Sequence, residues 1–243
     1  MVSMPSGRSL RRDAACAARI PERQLLVGLE EALWESGPNP LTDFADALVL
    51  DGVPVMPADE KARWESLGRF REALTRFLDG KEAVFIGGVA VRSYGGRFRM
   101  PLRPTGDWDL LIDEPFLKDL TSFLEREGAE ILGTNEEAYF FFVRPAWIHL
   151  DVTAARTPLL REVLRTAAEA TFQGRKLRLP TTTALAAMKV KAYAERQDPD
   201  KRAVDRSDVL GLLKVGATTE TEIRQLIEKV QPDLVRALDE ILA

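Results

Sequence analysis

The sequence predicts an α+β fold, in which a small strand-bearing core is preceded by N-terminal helices and followed by a helical C-terminal region. Two observations predict the core. A short apolar run at 83–86 breaks at Gly87-Gly88 into a helical segment, and strand-like runs recur after Asp107, at 138–143 and at 147–153. A third predicts the rest: from Thr181 onward no strand pattern returns, and apolar residues fall at helical spacing. The organisation expected is a flexible tail over 1–20, helices packed on the core over 21–80, the core over 81–180 and the helical region over 181–243.

Composition bounds the function. With 34 basic and 38 acidic residues the 243-residue chain has a net charge of −4, which argues against a generally basic nucleic-acid coat but not against a local basic cleft. No stretch reaches the roughly 18 apolar residues of a membrane span, so no membrane role is expected. Cys16 is the single cysteine, which excludes an internal disulfide or a thiolate zinc cluster and fits a cytoplasmic location. Arg8, Arg11 and Arg12 precede an alanine-rich run too short for a secretory signal, so no signal peptide is expected.

Taken in order, Leu25, Leu29 and Leu33 mark a first helix that Pro38 and Pro40 end, and 41–50 reads as a second. Residues 59–79 form an amphipathic helix with Trp64, Leu67, Phe70, Leu74 and Phe77 on one face and Gly80 past its end. The strand at 83–86 then turns at Gly87-Gly88 into a helix starting near Val89, and 94–103, rich in Gly and Arg, reads as a loop. Asp113 caps a helix over 115–127 that Gly128 closes. Strands at 138–143 and 147–153, a helix at 158–169 and a hairpin around Gln173-Gly174 complete the core. Four helices at 181–196, 201–213, 219–230 and 232–242 follow.

The chemistry concentrates between residues 83 and 113. A strand turning at Gly87-Gly88 into a helix aims free backbone N–H groups at an anion. Asp107 and Asp109, at i and i+2 of the next strand, face the same way, with Trp108 directed to the core. On the 147–153 strand, Ile148, Leu150 and Val152 share one face and leave His149, Asp151 and Thr153 on the other, so Asp151 can supply a third carboxylate to a divalent-metal site. Arg103 either grips a phosphate or pairs with an acid, and Thr105 shapes the turn before the aspartates. Lys189 and Arg196 share a helix face and point either to a triphosphate or to the acid pair Asp205 and Asp208, which equally suits an interhelical salt bridge. His149 is either a general base or a bystander.

Gly87-Gly88-Val89-Ala90, followed by Arg103-x-Thr105-x-Asp107-x-Asp109 and a later strand bearing Asp151, resembles the DNA polymerase β-like nucleotidyltransferase superfamily. The similarity is greatest to the bacterial abortive-infection type nucleotidyltransferase toxins and related small nucleotidyltransferases, whose later pattern is matched by Lys189, Ala192, Arg196, Asp205 and Asp208. Trp108 stands where that family usually has a small or aliphatic residue, and Gly88 where it often has Ser. The resemblance implies a mixed sheet, Mg²⁺ or Mn²⁺ on Asp107, Asp109 and Asp151, and an NTP seated by Gly87, Gly88, Arg103, Thr105, Lys189 and Arg196. It implies transfer of a nucleoside monophosphate to a hydroxyl of a tRNA 3′ end, a protein or a small molecule. A non-catalytic nucleotide-binding protein, or one partner of a toxin–antitoxin pair, is the alternative.

Overall fold

The computed structural model describes residues 60–98, 107–172 and 175–243. The expected tail and helices before residue 60 lie outside these residues, as do Arg103 and Thr105. The first described helix, α1 (Glu60–Leu78), buries Leu67, Phe70, Leu74 and Leu78, three or four residues apart, as one apolar face. Gly80, at φ +69°, makes the left-handed turn that ends it.

Five strands form the main sheet: β1 (Ala83–Ile86), β2 (Asp107–Ile112), β3 (Ala129–Thr134), β4 (Ala138–Val143) and β5 (Ile148–Ala154). Their order is β1-β2-β5-β4-β3, with β2 and β5 parallel and every other pair antiparallel, so the sheet is mixed. The parallel pair is decisive for the site, because it places two strands some forty residues apart in sequence side by side. Trp108 is fully buried and stacks on Phe70 of α1 at 5.9 Å, which pins β2 to α1 and leaves the faces of its neighbours Asp107 and Asp109 free of the core.

The remaining elements are α2 (Gly87–Phe98), α3 (Leu117–Arg126) after a 3-10 turn at Glu114–Phe116, α4 (Pro158–Thr166), and a hairpin of β6 (Ala168–Phe172) and β7 (Arg175–Leu179). Beyond it come α5 (Thr182–Glu195), α6 (Pro199–Lys214), α7 (Glu220–Val230) and α8 (Val235–Leu242). Thr181, Asp198 and Thr219 cap α5, α6 and α7 through side-chain oxygens, and Thr219 forms a reciprocal capping box with Glu222. The hydroxyl of Tyr94 donates to Pro180 O at 2.6 Å, tying α2 to the entrance of α5.

Four local expectations are corrected. Helix α2 starts at Gly87 itself and runs to Phe98, where a loop was expected from Tyr94; buried Val91, Ser93 and Tyr94 hold this glycine-rich turn against the core. Strand β3 was not expected at all. It is an edge strand whose adjacent Ile131 and Leu132 are both half exposed around a bulge, so it lacks the alternation that marks a half-buried strand. Helix α4 stops at Thr166 because 168–172 pairs with β7 instead of continuing the helix, and Arg178 Nη2 donates to Leu164 O at the join. Strand β5 begins one residue late because Trp147 takes a left-handed conformation, φ 52°, that ends the preceding 3-10 turn.

Candidate active site

The parallel register pairs Asp109 with Asp151 and Asp107 with His149. Burial along β5 alternates strictly, with Ile148, Leu150, Val152 and Ala154 inside, so Asp151 shares the acid-bearing face with His149 and Thr153. Carboxylate oxygens of Asp107, Asp109 and Asp151 all lie within 4.8 Å of one another, close enough to hold a metal ion jointly. Three hard oxygen donors suit Mg²⁺ or Mn²⁺ better than the softer transition metals. His149 packs its ring against Phe142, centroids 5.1 Å apart.

The glycine turn is fitted to Asp109. Gly87 sits at φ +58°, and a Cβ built there would lie 1.9 Å from Asp109 Oδ2 and 2.5 Å from its Cγ. The missing side chain is therefore the space that the carboxylate fills. The N–H of Gly88 donates to Asp109, and the positive end of the α2 dipole faces the same group.

These contacts only partly offset the repulsion. Burial and the charge of Asp107 push Asp109 up to about 6, against the pull of Lys189, the Gly88 N–H and Arg196. Burial, then the charges of Asp109 and Asp107, push Asp151 up to about 7, with Lys201 opposing. A metal ion would relieve this repulsion, so the donor set fits one.

A pH dependence follows. A carboxyl whose folded pKa exceeds its ordinary value of 3.8 holds its proton better in the native state, so its contribution to stability is complete below about pH 4 and is lost as pH rises through about 6 to 7. Thermal melts in chelator should show Asp151→Asn gaining on the parent as pH rises from 4.5 to 8, by about 1–3 kcal/mol at the upper end. Equal melting of the two proteins at every pH would contradict it.

On the helical side, Lys189 Nζ lies 2.9 Å from Asp205 Oδ1 and 2.8 Å from Asp208 Oδ2, with all three side chains nearly inaccessible to water. Arg196 Nε lies 3.1 Å from Asp205 Oδ2. The interhelical salt bridge is thus formed, joining α5 to α6. Lys189 and Arg196 nonetheless both line a cavity of about 190 Å³ together with Gly87 and Asp109. Along its walls stand Glu137, Thr153, Lys191 and Glu195, of which sequence reasoning singled out only Thr153, and that only for its strand face. Lys191 and Glu195, four residues apart on α5, carried the usual signature of an exposed ion pair, whereas Glu137 comes from a turn whose position only the sheet decides.

A glycine-opened helix N-terminus set against three converging carboxylates on a mixed sheet, with basic side chains across a cavity, defines an acidic metal-type site of α+β architecture. No protein-family model and no curated protein matches the chain. Among solved structures, the antibiotic-resistance factor ANT(2'')-Ia in solution is similar at 16% identity, over 73% of this chain and 93% of that one, with a TM-score of 0.48. A crystal structure of ANT(2'')-Ia in complex with adenylyl-2''-tobramycin is similar at 17% identity, over 67% and 97% of the two chains, with a TM-score of 0.47. An antigenic nucleotidyltransferase-like protein from Paracoccidioides brasiliensis is similar at 21% identity, over 72% and 93%, with a TM-score of 0.44. Among the described residues, no helix is long and apolar enough to cross a membrane.

Proposed function

We propose that this chain is a nucleotidyltransferase that moves a nucleoside monophosphate from an NTP to a hydroxyl acceptor. The observation that carries the reading is the convergence of Asp107, Asp109 and Asp151 beside the N-terminus of α2. Mg²⁺ or Mn²⁺ on these three carboxylates would hold the triphosphate and acidify the attacking hydroxyl. Asp151, brought beside Asp109 by the parallel pairing of β2 and β5, accepts the proton of the acceptor hydroxyl as that oxygen bonds to the α-phosphorus and pyrophosphate leaves. The α2 N-terminus at Gly87-Gly88, whose Gly88 N–H is held by Asp109, sets the positive end of its dipole beside the phosphates, and Lys189 and Arg196 supply positive potential from α5. Arg103 and Thr105 belong to the same phosphate-seating set on the sequence likeness. The abortive-infection kinship and an antitoxin partner rest on that likeness as well.

The test is incubation with Mg²⁺ and each of the four NTPs labelled at the α-phosphate, against total RNA, protein and small-molecule fractions. Label is expected in one fraction, with release of pyrophosphate. Absence of label from every fraction and every NTP would leave the non-catalytic nucleotide-binding reading.

A further inference from the structure

Lys191 has no part in the reaction as described, yet it is built into the wall of the same cavity. Its side chain is almost wholly buried, and Nζ donates to Glu137 Oε2 and to Glu195 Oε2, each at 2.7 Å. An ammonium has three N–H donors, so among the described residues these two bonds leave one. Both carboxylates also line the cavity, and the Glu137 carboxylate comes from a rigid place. Asn135 Oδ1 accepts from the backbone N–H groups of Glu137 and Ala138, and Glu137 O accepts from Ala154 N on β5.

The cavity has two unlike ends. At one stand Asp109 and Gly87, where phosphates and metal would meet. At the other stand Thr153 and the Glu137–Lys191–Glu195 group; Thr153 lies two residues past Asp151 on the same face, about 7 Å along the strand. Between them the α5 wall is apolar, made by Leu185, Met188 and Ala192, and Ile86 and Leu160 also line the cavity. On α5 this apolar stripe separates Lys189 and Arg196 on one flank from Lys191 and Glu195 on the other, as a period of 3.6 residues requires. An apolar slot that ends in one donor flanked by two acceptors matches a flat heterocycle whose faces need no hydrogen bonds and whose edge needs both kinds.

We propose that Lys191, set by Glu137 and Glu195, contacts the nucleobase edge of the donor nucleotide and determines which NTP is preferred. The inference rests on the NTP reading of the site. It places the base against Met188 and Ala192, the triphosphate toward Asp109 and Gly87, and the Lys191 ammonium on a ring nitrogen or carbonyl of the base. Glu137 and Glu195 position that ammonium and accept from an amino or imino group beside it.

Calorimetric titration of Mg²⁺ with ATP, GTP, CTP, UTP and inorganic tripolyphosphate tests this on the full chain and on Lys191→Met. The parent should favour one NTP. In Lys191→Met that NTP should lose about tenfold or more in affinity, the spread among the four should collapse, and Mg²⁺-tripolyphosphate should bind as in the parent. An unchanged order of preference overturns the proposal, as does an equal loss on tripolyphosphate, which a purely structural strap would produce. A parent that binds tripolyphosphate but ranks the four NTPs equally overturns it too. A parent that binds neither nucleotide nor tripolyphosphate defeats the NTP reading itself. Should Lys191→Met fail to fold, Glu195→Gln, at an exposed carboxylate, carries the same comparison.

Discussion

Substituting Asp109 by alanine is expected to lower nucleotide transfer by about 10³-fold or more and to abolish the dependence of NTP binding on Mg²⁺. Asp109 is the central member of the acid group: it pairs in register with Asp151, sits two residues from Asp107, and receives the Gly88 N–H. Asp107→Ala should fall in the same range, because both carboxylates leave the same strand face. Loss of a repelled, partly buried carboxylate relieves strain, so Asp109→Ala should not melt below the metal-free parent at neutral pH. Steady-state rates with labelled NTP and melts in chelator read the two effects separately. An Asp109→Ala protein that retains Mg²⁺-dependent transfer would sink the assignment of the metal site.

Gly87→Ala should be nearly as damaging for a different reason. The left-handed φ of +58° costs a residue with a Cβ roughly 1–2 kcal/mol, and that Cβ would also overlap Asp109 Oδ2 at 1.9 Å. The carboxylate must then leave the place where it meets Asp107 and Asp151. Gly80 separates the two contributions: its φ is +69°, and a Cβ there meets nothing within 4 Å. Gly80→Ala is expected to lower stability by about 1 kcal/mol with metal binding and transfer intact. Gly87→Ala should lose Mg²⁺ affinity and most of its activity besides. Equal behaviour of the two variants in metal titrations would show that Gly87 serves the turn alone.

Much of the site could be read along the chain because its residues are local. Two aspartates separated by one residue on a strand must share a face, and the alternation at 148–154 put Asp151 on the polar side of β5. The glycine pair before a helix was legible as an anion-facing turn, although the group it faces most closely here is a protein carboxylate. Strand β3 escaped notice because an edge strand with a bulge need not alternate, and the extent of α2 escaped because its glycines disfavour a helix that packing by Tyr94 nonetheless imposes. For Lys189, spacing allowed both a phosphate contact and a salt bridge. The structure forms the salt bridge with Asp205 and Asp208 while leaving Lys189 on the cavity wall.

By itself, then, the sequence determined the order of the described elements other than β3, the burial of Trp108 and the faces on which the three acids stand, since each follows from periods of 2 and 3.6 within one segment. The tertiary structure alone decided that β5 lies parallel to β2, that Asp109 occupies the space a Gly87 side chain would need, and that Glu137 reaches Lys191 across the cavity. Those facts join residues from 22 to 54 positions apart, and their pairing depends on sheet order and helix docking, which no local periodicity encodes.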